Sequence, residues 1–180
     1  LLLTCHMVGL EISGARLGAR FRLQALYREE RNNPLLATFI RRARGRRIAG
    51  LIDNQDMRGL VRALRDGRTV WYAPDQNISP RRGGLFVPFF GLPAATTPAA
   101  ARLAERTGCA VLPYVPQRHA DGRYTLTIEP PLEPFPDGDP ADATATINAV
   151  IERWIRAQPE QYFWAQKRFK TRPRGEPKRY

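Results

Sequence analysis

The chain opens with an apolar run that ends in a histidine: Leu1-Leu2-Leu3-Thr4-Cys5-His6-Met7-Val8-Gly9-Leu10-Glu11. Such a run is typical of a buried strand, and the residues after it predict a turn into a helix. Five residues of regular helix rotate a side chain by about 140°, so His6 is predicted in the turn and Glu11 on the helix. An imidazole held by a carboxylate can act as a general base, whereas a histidine beside an apolar run more often only satisfies a hydrogen bond.

Outward from this stretch, apolar strand segments alternate with amphipathic helix segments. The order predicts an α/β domain with a mixed, largely parallel central sheet flanked by helices, and one domain is the default at 180 residues. Residues 69–73 are apolar throughout, which favours an interior strand, and residues 123–129 are expected to pair antiparallel. Further strands are predicted at 21–27 and 109–115, and helices at 8–18, 35–42, 53–66, 97–107 and 141–157. Asn32-Asn33-Pro34 is the expected start of the helix at 35–42. The helix at 141–157 is predicted to bury an apolar stripe of Ile147, Val150, Ile151, Trp154 and Ile155.

The charge of the chain indicates an anionic partner. Twenty-nine Lys and Arg against seventeen Asp and Glu give a net charge of +12 and a pI of about 10.8. Nucleic acid, phospholipid headgroups and an acidic protein or substrate all fit this charge. Five of the seven residues at 41–47 are arginines, which on composition alone indicates a solvated helix face more often than an anion site.

Polar residues follow the predicted interior strand, where α/β folds tend to bind ligands. The residues there are Pro74-Asp75-Gln76-Asn77, followed by Arg81-Arg82-Gly83-Gly84. The aromatic segment 85–91 contains a proline, so it is either the wall of an apolar pocket or an ordinary buried loop. The sequence has no glycine-rich phosphate loop and no metal-ligand cluster, so no metal site is predicted. Since His119 falls in a polar turn, His6 is the better candidate base.

Several segments resemble a known family. His6 and Glu11 match the His-x4-Asp/Glu pattern of the lysophospholipid acyltransferase superfamily. Further segments narrow the resemblance to the late (secondary) acyltransferases of lipid A biosynthesis, the lauroyl and myristoyl transferases of Gram-negative bacteria. These segments are Asn33-Pro34-Leu35-Leu36, the arginines at 41–47, and residues 70–76, 86–91 with 95–97, and 159–164 with 167–173.

The resemblance implies a glycerolipid-acyltransferase-like fold and an acyl transfer. The acyl group would pass from acyl carrier protein, as its phosphopantetheine thioester and with no bound cofactor, to a hydroxyl of a 3-hydroxyacyl chain on a Kdo-bearing lipid A precursor. His6 would be the general base and Glu11 would orient it. Substrate-binding positions would be Arg44, Arg46, Asp75 and Gln76, with segment 85–91 as a candidate wall for the acyl chain.

The resemblance also implies partners and a location. Residues 1–180 are expected to form a single catalytic domain that lacks its N-terminal part and membrane anchor, at the cytoplasmic face of the bacterial inner membrane. The expected partners are acyl carrier protein, the anionic lipid A precursor and the membrane surface, with no nucleic acid. Two alternatives stay open: an acyltransferase for another glycolipid or glycerophospholipid acceptor, and a non-catalytic basic domain that binds membranes or nucleic acid.

Overall fold

The computed structural model describes residues 1–28, 30, 32–136 and 138–180. Within these residues, five α-helices and eight strands follow one another along the chain. The strands are β1 (Leu2–Leu3), β2 (Leu23–Tyr27), β3 (Gly50–Asp53), β4 (Thr69–Tyr72), β5 (Leu85–Phe89), β6 (Leu92–Thr96), β7 (Leu112–Arg118) and β8 (Tyr124–Ile128). The helices are α1 (Leu10–Gly18), α2 (Pro34–Gly45), α3 (Met57–Arg65), α4 (Ala99–Thr107) and α5 (Pro140–Ala157), with short 3-10 turns at Pro80–Arg82 and Pro159–Gln161.

Six of the strands form one sheet in the order β3-β2-β4-β1-β7-β8. All neighbours in this sheet run parallel except β7 and β8, which pair antiparallel at one edge. The remaining strands, β5 and β6, form a separate antiparallel hairpin. The predicted α/β class, with its mixed and largely parallel sheet and its interior strand at 69–73, is therefore confirmed.

Helices cover both faces of the sheet, and β1 shows how. Successive side chains of a strand point to opposite faces, so Leu2 and Leu3 enter different cores. Leu3 packs in the core that includes buried residues of α3, α4 and α5, whereas Leu2 packs with Leu17 of α1. Gly14 allows α1 to lie close to the sheet, since a Cβ there would come within 2.9 Å of the Trp71 ring.

Local capping explains where two helices begin. The Asn33 side chain accepts a hydrogen bond of 3.0 Å from the Leu36 N–H, which confirms the predicted start of α2. Helix α3 was predicted to start at Asp53, and this start is wrong. Asp56 caps the helix through the Gly59 N–H at 2.9 Å, because Asp53 is the last residue of β3, a strand missing from the sequence prediction.

No α-helix within the described residues combines the length and the apolar character needed to cross a membrane. The longest, α5, instead buries one face against the rest of the domain. Its predicted apolar stripe is confirmed as core, with Ile147, Ile151, Trp154 and Ile155 all buried.

Candidate active site

The register of two neighbouring parallel strands brings His6 and Asp75 together. Leu3 of β1 lies opposite Tyr72 of β4, and His6 and Asp75 each follow three residues later in the chain. Because the strands are parallel, both residues leave the sheet at its carboxyl edge. This is the edge at which α/β sheets place ligands.

The Asp75 carboxylate holds His6 through both of its oxygens. Oδ1 lies 2.6 Å from Nδ1 of the His6 ring, and Oδ2 accepts from the His6 backbone N–H at 3.0 Å. Asp75 is fully buried, whereas the His6 side chain is 26% exposed. Since a carboxylate accepts hydrogen bonds, the proton of a neutral His6 ring lies on Nδ1. Nε2 is left as the acceptor, and His6 lines an open cleft.

The pair also shifts the charge states of its two members. Burial opposes a charge on His6, but the hydrogen bond and the charge of Asp75 outweigh it and raise the His6 pKa above its ordinary value. Arg44 offsets part of this increase. Burial also opposes the charge on Asp75, which by itself would raise the Asp75 pKa. The contacts with His6 and Gln166 outweigh burial, so the Asp75 pKa lies below its ordinary value. The site therefore favours an ionised Asp75 that stabilises an imidazolium on His6.

A C-terminal segment, residues 162–166, contacts both residues of this pair. The Gln166 side-chain amide donates to Oδ2 of Asp75 at 3.0 Å and to the Tyr162 hydroxyl at 2.6 Å. The Phe163 N–H donates to the His6 carbonyl at 2.9 Å. Gln166 could not be predicted from the sequence, because a lone glutamine among basic and aromatic residues has no periodic pattern that would place it beside residue 75.

Glu11 has a different partner from the one predicted. Its carboxylate forms an ion pair with the Arg44 guanidinium, which joins α1 to α2, and its side chain is 62% exposed. Within the described residues, no hydrogen bond joins Glu11 to His6, whose Nδ1 is held by Asp75. The expected contact between Glu11 and His6 is thus corrected to a contact between Asp75 and His6. Asp75, expected among the substrate-binding residues, is buried and contacts the His6 ring.

A cleft of about 450 Å³ opens in front of His6. The Gln76 amide nitrogen lies 3.5 Å from Nε2 of His6, at the long limit of a hydrogen bond. Three guanidinium groups and one carboxylate line the cleft, and apolar side chains form the rest of its wall. The charged residues are Arg28, Arg44, Arg82 and Glu11, and the apolar residues include Leu10, Leu26, Met57, Leu60 and Leu103. This combination suits a ligand that carries both an anionic group and a hydrocarbon chain.

The aromatic segment at 85–91 does not line this cleft, so its interpretation as an acyl-chain wall is corrected. The segment forms most of the β5–β6 hairpin, with Phe90 (φ +50°) and Gly91 (φ +72°) in the turn. Phe89 is buried, with the Arg168 guanidinium 4.9 Å from the centre of its ring. The second interpretation, an ordinary buried loop, holds only in part, because the segment is a strand and turn in which Val87 and Phe89 are buried while Phe86 and Pro88 are exposed.

A second groove adjoins the cleft and holds Arg46. It has a volume of about 380 Å³ and lies between α1 and α2, with Trp71 and Ile48 in its lining. The paired side chains of Glu11 and Arg44 border both spaces. The structure therefore brings Arg44 to the cleft of His6 and places Arg46 in the neighbouring groove. In the described part of the chain, no group of three or more His, Cys, Asp or Glu side chains could hold a metal ion.

The fold and the site define a class of protein: an α/β domain with a histidine–aspartate pair at the carboxyl edge of a parallel sheet, facing a cationic cleft with apolar walls. The chain belongs to the bacterial lipid A biosynthesis acyltransferase family, whose model matches residues 1–171. The resemblance indicated by the sequence segments is thereby confirmed.

Individual relatives agree with this membership. The chain is 40% identical to the Lipid A biosynthesis lauroyltransferase of Escherichia coli strain K12 over 183 aligned residues, which cover 100% of this chain and 59% of that protein. It is also 40% identical to the palmitoleoyltransferase of the same strain, over 97% of this chain and 57% of that protein. The myristoyltransferase of that strain is 32% identical over 73% of this chain and 41% of its own length. The chain thus spans less than two thirds of these relatives.

Proposed function

We propose that this protein transfers a fatty acyl group to a hydroxyl of a lipid A precursor, with His6 as the general base. The observation that carries the proposal is the 2.6 Å contact between Asp75 and Nδ1 of His6, which leaves Nε2 free to accept a proton at the cleft. Membership of the lipid A acyltransferase family supports the reaction class. In this proposal Asp75 takes the positioning role that the family resemblance implied for Glu11.

The proposed reaction uses His6 for two proton transfers. Nε2 of His6 takes the proton of the acceptor hydroxyl while the hydroxyl oxygen attacks the carbonyl carbon of a thioester. A carbon–oxygen bond forms, the carbon–sulfur bond breaks, and the imidazolium returns the proton to the departing thiolate. Asp75 stabilises the imidazolium between these steps, in agreement with the raised pKa of His6.

The proposed donor is acyl carrier protein, and the proposed acceptor is a 3-hydroxyacyl chain on a Kdo-bearing lipid A precursor. The cleft supports an anionic lipid of this kind, because Arg44 and Arg82 line it together with apolar side chains. Guanidinium groups bind phosphate oxygens in a bidentate manner. A chain with a charge of +12 also attracts an acidic carrier protein and an anionic membrane surface. We place the enzyme, with a glycerolipid-acyltransferase-like fold, at the cytoplasmic face of the inner membrane.

Mass spectrometry of the acceptor tests this proposal. Wild-type protein incubated with acyl carrier protein thioester and the Kdo-bearing precursor should add one acyl group to the precursor, and His6→Gln should add none. His119→Gln is the matched control, because His119 is the other histidine of the chain and contacts Thr125 rather than the cleft.

Two results would contradict the proposal. Transfer by His6→Gln at the wild-type rate would remove the base assignment. In a parallel reaction with a lysophospholipid acceptor, acylation of that acceptor in place of the precursor would remove the acceptor assignment.

A further inference from the structure

Helix α2 presents large apolar side chains to solvent. Leu35 is 84% exposed, Leu36 is 43% exposed and Phe39 is 69% exposed. None of the residues of α2 is buried, although its sequence is amphipathic. A surface helix of a globular domain normally turns its apolar stripe toward the core, so this face of α2 lacks the usual intramolecular partner within the described chain.

The exposed side chains lie on one face of the helix. Leu35 and Phe39 are four residues apart, which places them one above the other, and Leu36 lies beside them on the same side. The next turn brings Ile40 and Ala43 onto the same side, with Ala43 also lining the groove between α1 and α2. The large exposed apolar side chains therefore form one patch on the first two turns of α2, and Arg42 follows seven residues after Leu35 on the same side.

The end of the same helix is strongly cationic. Arg42, Arg46 and Arg47 are exposed, and the Arg44 guanidinium pairs with Glu11 of α1. Helix α2 itself contains no acidic residue. An apolar face with arginines at its border is the composition of helices that lie in the interface of an anionic lipid bilayer.

We infer that α2 is an interfacial helix, which inserts Leu35, Leu36 and Phe39 among the acyl chains of an anionic phospholipid surface while its arginines bind the headgroup phosphates. An acidic protein would fit the arginines equally well. A bilayer fits both features, because it removes three large apolar side chains from water and neutralises the neighbouring cations.

This orientation connects the lipid surface with the candidate active site. Arg44 belongs to α2 and borders the cleft of His6. Ile12 of α1, which is 49% exposed, lines the groove beside Ala43. A bilayer that receives α2 would thus lie next to the openings of both spaces. The inference extends the proposed function, since a lipid acceptor could then enter the cleft directly from its membrane.

Vesicle flotation tests the inference without any enzymatic turnover, so its outcome is separate from that of the acyl-transfer assay. The chain should bind vesicles of phosphatidylethanolamine with phosphatidylglycerol, and bind phosphatidylcholine vesicles more weakly. The double variant Leu35→Gln/Phe39→Gln should lower the partition coefficient roughly tenfold to a hundredfold, because each side chain contributes apolar burial only on the bilayer. Both positions are exposed, so the folded domain should be unaffected.

Phe21→Gln is the matched control. Phe21 is 47% exposed but lies near Leu1 and Leu112, at the edge of the sheet opposite His6, and its replacement should leave binding unchanged. As a second readout, the fluorescence of a tryptophan introduced by Phe39→Trp should be quenched by lipids brominated on their acyl chains.

Two results would overturn the inference. Wild-type protein could fail to bind the anionic vesicles, or the double variant could bind them as well as wild type. In the second case, loss of binding to acyl carrier protein by the same variant would assign the face to a protein partner.

Discussion

Asp75 contacts His6 at two points, with one carboxylate oxygen 2.6 Å from Nδ1 of the ring and the other 3.0 Å from the backbone nitrogen of the same residue. The two contacts fix both the ring and the turn that carries it. Asp75 itself is fully buried, so solvent does not compete for these bonds. The histidine and the aspartate are therefore expected to act as a unit.

Asp75→Asn should shift the pH dependence of catalysis. The proposed base works when neutral, so kcat/KM is expected to rise with pH through the His6 pKa, which Asp75 holds above its ordinary value. The amide keeps the shape of the carboxylate but removes its charge. We expect the rising limb of the profile to move to lower pH and the maximal rate to fall roughly 10²- to 10⁴-fold. A rising limb that stays in place, or moves to higher pH, would contradict the assignment of Asp75 as the residue that positions His6. The control is Asp66→Asn, at an exposed aspartate, which should leave the pH profile unchanged.

Glu11 should act through Arg44 rather than through His6. Glu11→Gln removes an exposed ion pair, so the KM for the acceptor should rise by no more than about fivefold, and the rising limb of the pH profile should not move. Steady-state kinetics across pH checks this directly. A shifted limb together with a large fall in kcat would instead restore Glu11 as the orienter of His6.

Arg44→Gln should raise the KM for the acceptor about tenfold or more, because a charge-assisted contact with an anionic group is lost. The matched control is Arg179→Gln, which changes an exposed arginine near the C-terminus and should leave KM unchanged. Initial rates against acceptor concentration measure both KM values. Equal effects of the two changes would show that Arg44 contributes only general surface charge and does not bind the acceptor specifically.

Gln166→Leu should lower kcat about tenfold with little change in KM. The change removes one of the donors to the buried Asp75 carboxylate and does not alter the cleft lining. Gln55→Leu, at an exposed glutamine, is the control. If KM rose and kcat stayed constant, Gln166 would have a role in binding and not in positioning Asp75.

Arg168→Met should destabilise the fold. Arg168 is buried, donates to the Ala95 carbonyl at 3.0 Å and to the Thr96 hydroxyl at 2.6 Å, and burial lowers its pKa. The change removes two buried hydrogen bonds from a charged donor, at an expected cost of about 3 kcal/mol in the free energy of unfolding. Urea denaturation followed by circular dichroism measures this cost, and Lys170→Met, at an exposed position, should cost far less.

Much of the architecture could be predicted because it depends on local patterns. The alternation of strands and helices, the start of α2 at Asn33 and the buried stripe of α5 all appear in short windows of sequence. Strand β3 was missed, since four residues next to an arginine run give little periodic signal. The start of α3 was misplaced because Asp53 and Asp56 are equally good helix caps when only the local sequence is considered.

The site could be predicted only in part, because its contacts are distant in sequence. The sequence indicated polar residues after two strands, at His6 and at Asp75. Their contact depends on β1 lying next to β4, and strand order is decided by packing of the whole sheet. The Glu11 assignment relied on proximity along the chain, whereas Asp75, which contacts His6, is 69 residues away from it. Gln166, which also donates to Asp75, is 91 residues further on.

The most direct test of the central claim is a double-mutant cycle on acyl-transfer rates for His6→Ala, Asp75→Asn and the combined variant. If Asp75 acts through His6, the combined variant should retain about the same residual rate as His6→Ala alone, because residues that act as a unit are not additive. A combined loss equal to the product of the two single losses, or a wild-type rate for His6→Ala, would contradict the account.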